Sequence, residues 1–508
     1  MVRCQTAVCI VLAVSLSVAP IPALGQATVD ADPTGDEGSQ AADLYTGFAV
    51  RDISPYPGIG EDGDGNVYLG GFGLGPGRLS EGISSPISAR AAVISDGEDA
   101  VALASVEVQG MFSSYRAGDY GSWDVIERVS DNTDLTRDDV MISSDHSHRS
   151  PDTVGAWGFV PDEYAWYVAN QTQAAIEAAY EQADTKIAED DPDHVTVGIQ
   201  DGGKFQYSEF SSPLVNSLDR PIRVLAAEDA ETGEIEGVYG EFAAHPVLKG
   251  SANGIHPDWP GMVAEEVSER VNAPAVVAVG AIGRTQEVEH PRGIDTDEEW
   301  VEALTDRVVL AIEHGDPIVE PEVDSDTDMV TLTGWNVALT GLTAAGEQGC
   351  KVPVLTFTCV PIQRDPLPPW QAGNVLRTLV TTASVGDVLL WGAPGEIYPE
   401  AHFFVQEHVD ARAHFIQGLT NDQLGYIVAP SEAWPTVAAN AAASDNALFN
   451  IDITAGDHLA CAAVDSAAEI GLDLDPGKDM NPGVGRPLPP FQQRLQSVHT
   501  LPRRCPAW

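Results

Sequence analysis

Positive charge is what this sequence has least of. Its 508 residues carry 26 Lys and Arg against 77 Asp and Glu, a formal net charge of −51, and only five of the 26 are lysines. Such a surface repels nucleic acid and anionic lipid headgroups, and no nucleic-acid partner is expected. A carboxylate-rich, lysine-poor surface suits concentrated salt, where screening removes the self-repulsion that opposes compactness. Halophilic origin is the expectation. Long apolar runs are also scarce. After MVR the stretch TAVCIVLAVSLSVAPIPALG (6–25) is too short and too proline-interrupted to span a bilayer, and its Ala23, Leu24 and Gly25 suit cleavage before Gln26. Residues 1–25 are therefore predicted to be a secretory signal, which makes the protein secreted or cell-surface. Elsewhere no uninterrupted apolar run approaches about 18 residues, so no stable membrane span is expected.

Cysteine is sparse, at six residues, and Cys4 and Cys9 would leave with the signal. The remaining four, Cys350, Cys359, Cys461 and Cys505, are an even number, as disulfides in an exported protein require. The spacing of Cys350 and Cys359 suits a local bridge and leaves Cys461 for Cys505, a connectivity that sequence alone does not fix.

What is present is the composition of a folded enzyme, 43% hydrophobic and 20% charged. Residues 26–43 (QATVDADPTGDEGSQAAD) lack apolar periodicity and read as a disordered acidic lead-in. Structure is expected to begin at GFAVRDISP (47–55). The glycine-rich EDGDGNVYLGGFGLGPG (61–77) has Asp62, Asp64 and Asn66 but misplaces the glycine of an EF-hand, so it reads as a flexible turn. From residue 87 an apolar strand, a polar loop and an amphipathic helix recur, the pattern of an α/β fold. Strands are predicted at 87–94, 100–108, 139–144, 222–227, 238–244, 275–283 and 387–393, and helices at 162–183, 260–271, 297–315 and 395–409. The expected architecture is mixed layered sheets flanked by helices. One large catalytic unit covers 44–508, and the acidic stretch 316–328, which has no apolar face, is read as a linker between two halves.

Chemistry collects at strand ends, where open α/β sheets bind their ligands. SSDHSHRSP (143–151) places His146 and His148 after a strand, and continued extension would point both the same way. Taken alone, the pair could be a polar loop that carries histidine. His245 follows VYGEFAA, with His256 and Asp258 soon after. Arg284, Thr285 and Gln286 follow AVVAVGAIG, Glu396 follows DVLLWGAPG, and Tyr426 follows a strand near HFIQG. Each has a structural reading by itself: a capped strand end, a helix-start carboxylate stabilised by the dipole, a packed ring. Together they form an imidazole and carboxylate set of the zinc type, and zinc chemistry of this kind implies hydrolysis by activated water. Magnesium and calcium prefer all-oxygen sites.

At this point the chain resembles the neutral ceramidases, zinc-dependent hydrolases of the amide in N-acyl sphingosine. DHSHRSP is similar to the family's histidine, small residue, histidine motif; AAHPVLKGSANGIHPDWPG to its histidine-proline motif with a later aspartate; APGEIYPE to its proline-glycine-glutamate motif; and GLTNDQLGYIVAPSEAW to its Gly-Tyr motif. With weaker matches at GFAVRDISP and GISSPISARAAVI, the resemblance runs in order over about residues 47–435. It implies zinc bound by His146, His245, Glu396 and Tyr426, with His148 on the substrate side as proton donor. Asp258 and Gln286 join His148 as candidate catalytic residues, Gln286 standing where the family carries a serine. Arg149 and Ser150 also depart from the family pattern, and a positive charge from Arg149 or Arg284 would favour an anionic or strongly polar substrate group. The chain ends 82 residues after Tyr426, too soon for the β-sandwich that many family members add.

The expected activity is cleavage of an amide in an N-acyl lipid or related small molecule, with the oligomeric state left open. Two alternatives stand beside it. One is another metallohydrolase of amidohydrolase or esterase type, although Arg149, Ser150 and Pro151 replace the Asp-His pair of a lactamase-like enzyme. The other is a noncatalytic cell-surface binding protein on the same fold.

Overall fold

The computed structural model describes residues 44–59, 63–72, 77–115, 118–206, 218–285, 290–319, 321–333, 375–428, 450 and 454–475. The signal and lead-in segments, Gln286, and Cys350, Cys359 and Cys505 lie outside the described residues. Of the cysteines expected to pair, Cys461 alone is described, partly buried against one of the apolar cores.

Three mixed sheets repeat one construction. In the first, β1 (Tyr45–Asp52), β2 (Ser88–Ser95) and β3 (Ala100–Val106) run antiparallel, and β4 (Val140–Ser144) adds parallel to β3. Helix α1 (Ser122–Asn132) makes that parallel crossover, and α2 (Asp162–Glu189) follows β4. The second sheet contains β5 (Asp193–Asp201), β6 (Pro221–Asp229), β7 (Ile235–Phe242) and β8 (Ala275–Val279). Its parallel pair is β7 with β8, connected through α3 (Asp258–Val271). Helix α4 (Asp297–Glu313) then leads to the short edge strand β9 (Asp316–Pro317). The third sheet runs β10 (Val323–Thr333), β11 (Val375–Val385) and β12 (Val388–Gly392). Between β12 and its parallel partner β14 (Ala413–Gln417) come β13 (Glu396–Ile397) and α5 (Pro399–His408). A two-residue strand, β15 (Tyr426–Ile427), pairs with β13, and α6 (Ala455–Glu469) closes the described chain.

The sheets turn one face toward a shared core and the other toward helices. Leu103 and Met141 of the first sheet, Tyr239 and Val276 of the second, and Leu390 and Phe415 of the third belong to one buried cluster. On the outer faces, α1 and α2 cover the first sheet, Trp259 of α3 and Trp300 of α4 pack beneath the second, and α5 and α6 cover the third. Each fully buried Leu, Ile or Val in these layers contributes roughly 1.5–3 kcal/mol through removal of apolar area from water. Burial on both faces explains why β4, β8 and β12 read as continuous apolar runs rather than alternating ones.

The mixed-sheet α/β architecture agrees with the sequence expectation. Residues 316–328 are not a free linker: they supply β9 and the start of β10. Ile318 and Val323 of this stretch are buried, but from Asp324 to Asp328 acids alternate with Ser325 and Thr327, so the period-2 apolar signal of a strand is absent there. The helix expected from 395 starts at Pro399, with proline in the first turn, where its missing N–H costs nothing. Glu396 is consequently a strand residue rather than a helix-start carboxylate.

Candidate metal centre

In each of the three mixed sheets a residue of the centre follows a strand of the parallel pair. His146 follows β4, His245 follows β7, and Glu396 lies four residues after β12. The extended path expected at His146 is broken there. Its φ of 61° is left-handed, and the chain turns back at once. Convergence of His146 and His148 therefore comes from a turn held by cross-strand hydrogen bonds, not from strand alternation. The amides of Asp145 and His146 donate to the carbonyls of Val106 and Val108 at 2.9 and 3.2 Å, and the amide of His148 donates to Pro246 O at 3.1 Å. That last bond ties the His148 loop directly to the residue after His245.

The three imidazoles are buried and mutually near-perpendicular, with ring centroids 4.9–5.1 Å apart. One ligand atom from each of His146, His148 and His245 can be chosen so that all lie within 4.8 Å of one another. Nδ1 of His146 lies 2.8 Å from the carbonyl oxygen of Gln109. A carbonyl only accepts, so Nδ1 carries a proton, which leaves Nε2 as the nitrogen of this ring that could bind a metal. That nitrogen lies 3.3 Å from Oε2 of Glu396, and Nε2 of His245 lies 3.0 Å from Nε2 of His148. Nδ1 of His148, Nδ1 of His245 and Oε2 of Glu396 are buried without a well-formed hydrogen bond.

Electrostatics keeps these groups in their ligand forms. Burial, with Coulombic repulsion from His146, holds His245 down to about 4 despite Glu396 and the backbones of Ile282 and Thr285. Burial and the neighbouring His245, His146 and Arg78 hold His148 well below the usual imidazole range. Burial alone would raise Glu396, but His146, His245 and a hydrogen bond from Tyr426 outweigh it and leave the carboxyl below its ordinary value. His148 and His245 held neutral, beside an ionised Glu396, crowd several donor atoms into one buried volume. A cation fits that arrangement, and nitrogen with carboxylate and phenol oxygen is a donor set suited to zinc.

Most of the sequence-predicted residues meet here: His146, His148, His245, Glu396 and Tyr426, the last two as direct partners in the β13–β15 register. Asp258 does not face the centre. Both its oxygens accept backbone amides, from Leu248 and Trp259 at 2.9 Å on Oδ1 and from Lys249 at 2.9 Å on Oδ2. It orders the loop after His245. The charges expected to attract an anionic substrate are also engaged by protein. Arg149 donates to Gly254 O and to Ser84 Oγ, and Arg284 pairs with Glu400 at 2.5 Å.

Three contributors had not been singled out from sequence. Gln109 provides the carbonyl for His146, and Arg78 donates to His148 O at 2.7 Å. Gly71 and Phe72 of the glycine-rich stretch are the third: they pack against His148. Gly71 has φ +100°, and a Cβ there would lie 2.2 Å from Cγ of His148. Phe72 stands edge-on to the same ring at 4.8 Å. The strand-end rule that found the histidines would have found Gln109, which follows β3.

Comparisons with known proteins place the fold. No family model matches the chain, and no curated protein matches it in sequence. A crystal structure of neutral ceramidase from Pseudomonas aeruginosa superimposes with a TM-score of 0.62 at 15% identity, covering 84% of this chain and 74% of that one. A ceramidase complexed with C2 gives the same TM-score at 14% identity, covering 86% of this chain and 77% of the other. The chain thus shares a ceramidase-like fold. Among the described residues no helix is long and apolar enough to cross a membrane.

Proposed function

We propose that this chain is a zinc-dependent hydrolase of ceramidase type, exported from the cell, that cleaves the amide of an N-acyl lipid or a close relative. The observation that carries the reading is the buried cluster of His146, His148 and His245 with Glu396 against it, Nε2 of His148 lying 3.0 Å from Nε2 of His245 and Nε2 of His146 lying 3.3 Å from Oε2 of Glu396. Likeness of fold to neutral ceramidases supports the substrate class.

In this reading His146, His245, Glu396 and Tyr426 hold the metal. When bound, zinc supplies Lewis acidity to polarise an acyl carbonyl and to ease deprotonation of water. The rest falls to the chain's own side chains. The Gln109 carbonyl fixes the tautomer of His146, and the Pro246 carbonyl fixes the position of His148. His148, held neutral, is free to take a proton from the attacking water and pass it to the leaving nitrogen. Water adds to the carbonyl carbon, the C–N bond breaks, and a carboxylic acid and an amine leave.

The test is hydrolysis of a panel of N-acyl amides and esters in high salt, with and without chelator, beside metal analysis of the purified protein. Stoichiometric zinc, chelator-sensitive amide cleavage and loss of both in Glu396→Ala are expected. Activity that survives chelation, or full activity in that variant, removes the mechanism; a protein without bound metal is the outcome expected of a binding module.

A further inference from the structure

We propose that Arg284 is the positioning residue that holds the carboxylate and phenol side of the centre against the His245 side. This rests on the metal-site reading above and assigns a role to a residue outside the ligand set. Arg284 ends a 3-10 turn, Ile282–Arg284, directly after β8, and its side chain is fully buried. One guanidinium nitrogen, Nη2, contacts Oε1 of Glu400 at 2.5 Å. The guanidinium carbon lies 4.5 Å from the centroid of the Tyr398 ring. Tyr398 belongs to a small cluster with Val428 and Tyr426, and its amide donates to Ile427 O at 3.0 Å. One cation thereby touches the residues two and four positions after Glu396, and through Tyr398 it reaches the strand that carries Tyr426.

The other side of the turn faces His245, which meets the backbones of Ile282 and Thr285. Close approach is built in at Gly283, where a Cβ would lie 2.3 Å from the carbonyl oxygen of Glu396. The turn is thus wedged between the His245 loop and β13, and Arg284 is its fastener. A strand pair only two residues long has little hydrogen bonding of its own to fix Glu396 and Tyr426. Guanidinium suits the task because its planar face stacks on an aromatic ring while its edge pairs with a carboxylate, a combination that an ammonium does not reproduce.

The measurement is zinc affinity by competition with a chromophoric chelator, together with the visible spectrum of the cobalt-substituted protein, for wild type, Arg284→Met, Arg284→Lys and Glu400→Gln. Methionine fills similar length, and Glu400, whose side chain is 23% exposed, can hydrate when its partner is gone. Arg284→Met should weaken zinc binding about ten- to a hundredfold and alter the cobalt spectrum, as loss of groups that orient metal ligands does. Arg284→Lys should recover part of the affinity, and Glu400→Gln should weaken it less than Arg284→Met. Wild-type affinity and an unchanged spectrum in Arg284→Met overturn the proposal. If that variant does not fold, unchanged affinity and spectrum in Glu400→Gln overturn it instead. A wild-type protein that binds no zinc defeats the metal-site reading, which is a different result.

Discussion

Glu396 and Tyr426 are direct neighbours across a parallel strand pair only two residues long. The Tyr426 hydroxyl donates to the Glu396 carboxylate. A phenol beside a carboxylate becomes a useful ligand once a metal's charge lowers its effective pKa. Tyr426→Phe keeps the packing and deletes the oxygen. Zinc affinity should fall about tenfold or more, as measured by chelator competition, with the melting temperature of the metal-free protein little changed. Unchanged affinity would take Tyr426 out of the ligand set.

His148 and His245 face each other through Nε2, yet the proposed roles differ. In His148→Gln, zinc should remain bound at one per chain while kcat falls about 10²–10⁴-fold, the usual scale for loss of a proton-transfer group. In His245→Gln the metal itself should be lost. Metal analysis of the two variants separates the roles, and loss of zinc from His148→Gln would make His148 a ligand.

Gly71 sits where no side chain fits. Alanine there would meet the His148 ring and occupy a left-handed backbone at φ +100°. Gly71→Ala should cost about 1–3 kcal/mol of stability and lower turnover by displacing His148. Denaturant melts and hydrolysis rates check both, and a variant equal to wild type in each would show that the loop does not press on the ring.

Asp422 links the first and third sheets. Its Oδ1 accepts from the Ser113 amide at 3.2 Å and its Oδ2 from Thr378 Oγ1 at 2.9 Å. Burial outweighs these bonds and pushes its carboxyl up to about 6. The folded protein therefore holds this proton more tightly than the unfolded chain, whose Asp titrates near ~3.9. Stability from the protonated form is fully present below about pH 4 and is lost as the pH rises through about 6. Asp422→Asn resembles the protonated state throughout. Relative to that variant, the wild type should lose about 2–3 kcal/mol between pH 4 and pH 7 in urea melts at constant high salt. A pH-independent difference would contradict the assignment.

With a net charge of −51, self-repulsion should dominate the salt response. The melting temperature should climb steeply between low salt and molar potassium chloride, because exposed like charges separated by more than a few ångströms are then screened. Full stability without added salt would remove the halophilic interpretation.

The strand-and-helix order of the fold was largely legible in the sequence, and so was the clustering of reactive residues at strand ends. Reactive residues after apolar runs stand out because a parallel strand buried on both faces is a continuous hydrophobic block, and β4, β8 and β12 are of that kind. Helix α6 escaped notice because its alanine-rich AGDHLACAAVDSAAE has little contrast between faces, and the start of β10 escaped because Asp324 to Asp328 are polar throughout. The turn at His146 could not be foreseen, since positive φ at a non-glycine residue is set by its surroundings rather than by local preference. The loop-ordering part of Asp258 was hidden for a related reason: a carboxylate that accepts three amides looks in sequence like any other acid near a histidine.

Because His146 comes from the first sheet, His245 from the second and Glu396 with Tyr426 from the third region of the chain, no fragment owns the centre. A chain with one sheet undocked offers one or two donors and competes poorly for trace metal. Metal capture would then act as a signal that folding has finished, separating completed molecules from partly assembled ones before any substrate is met.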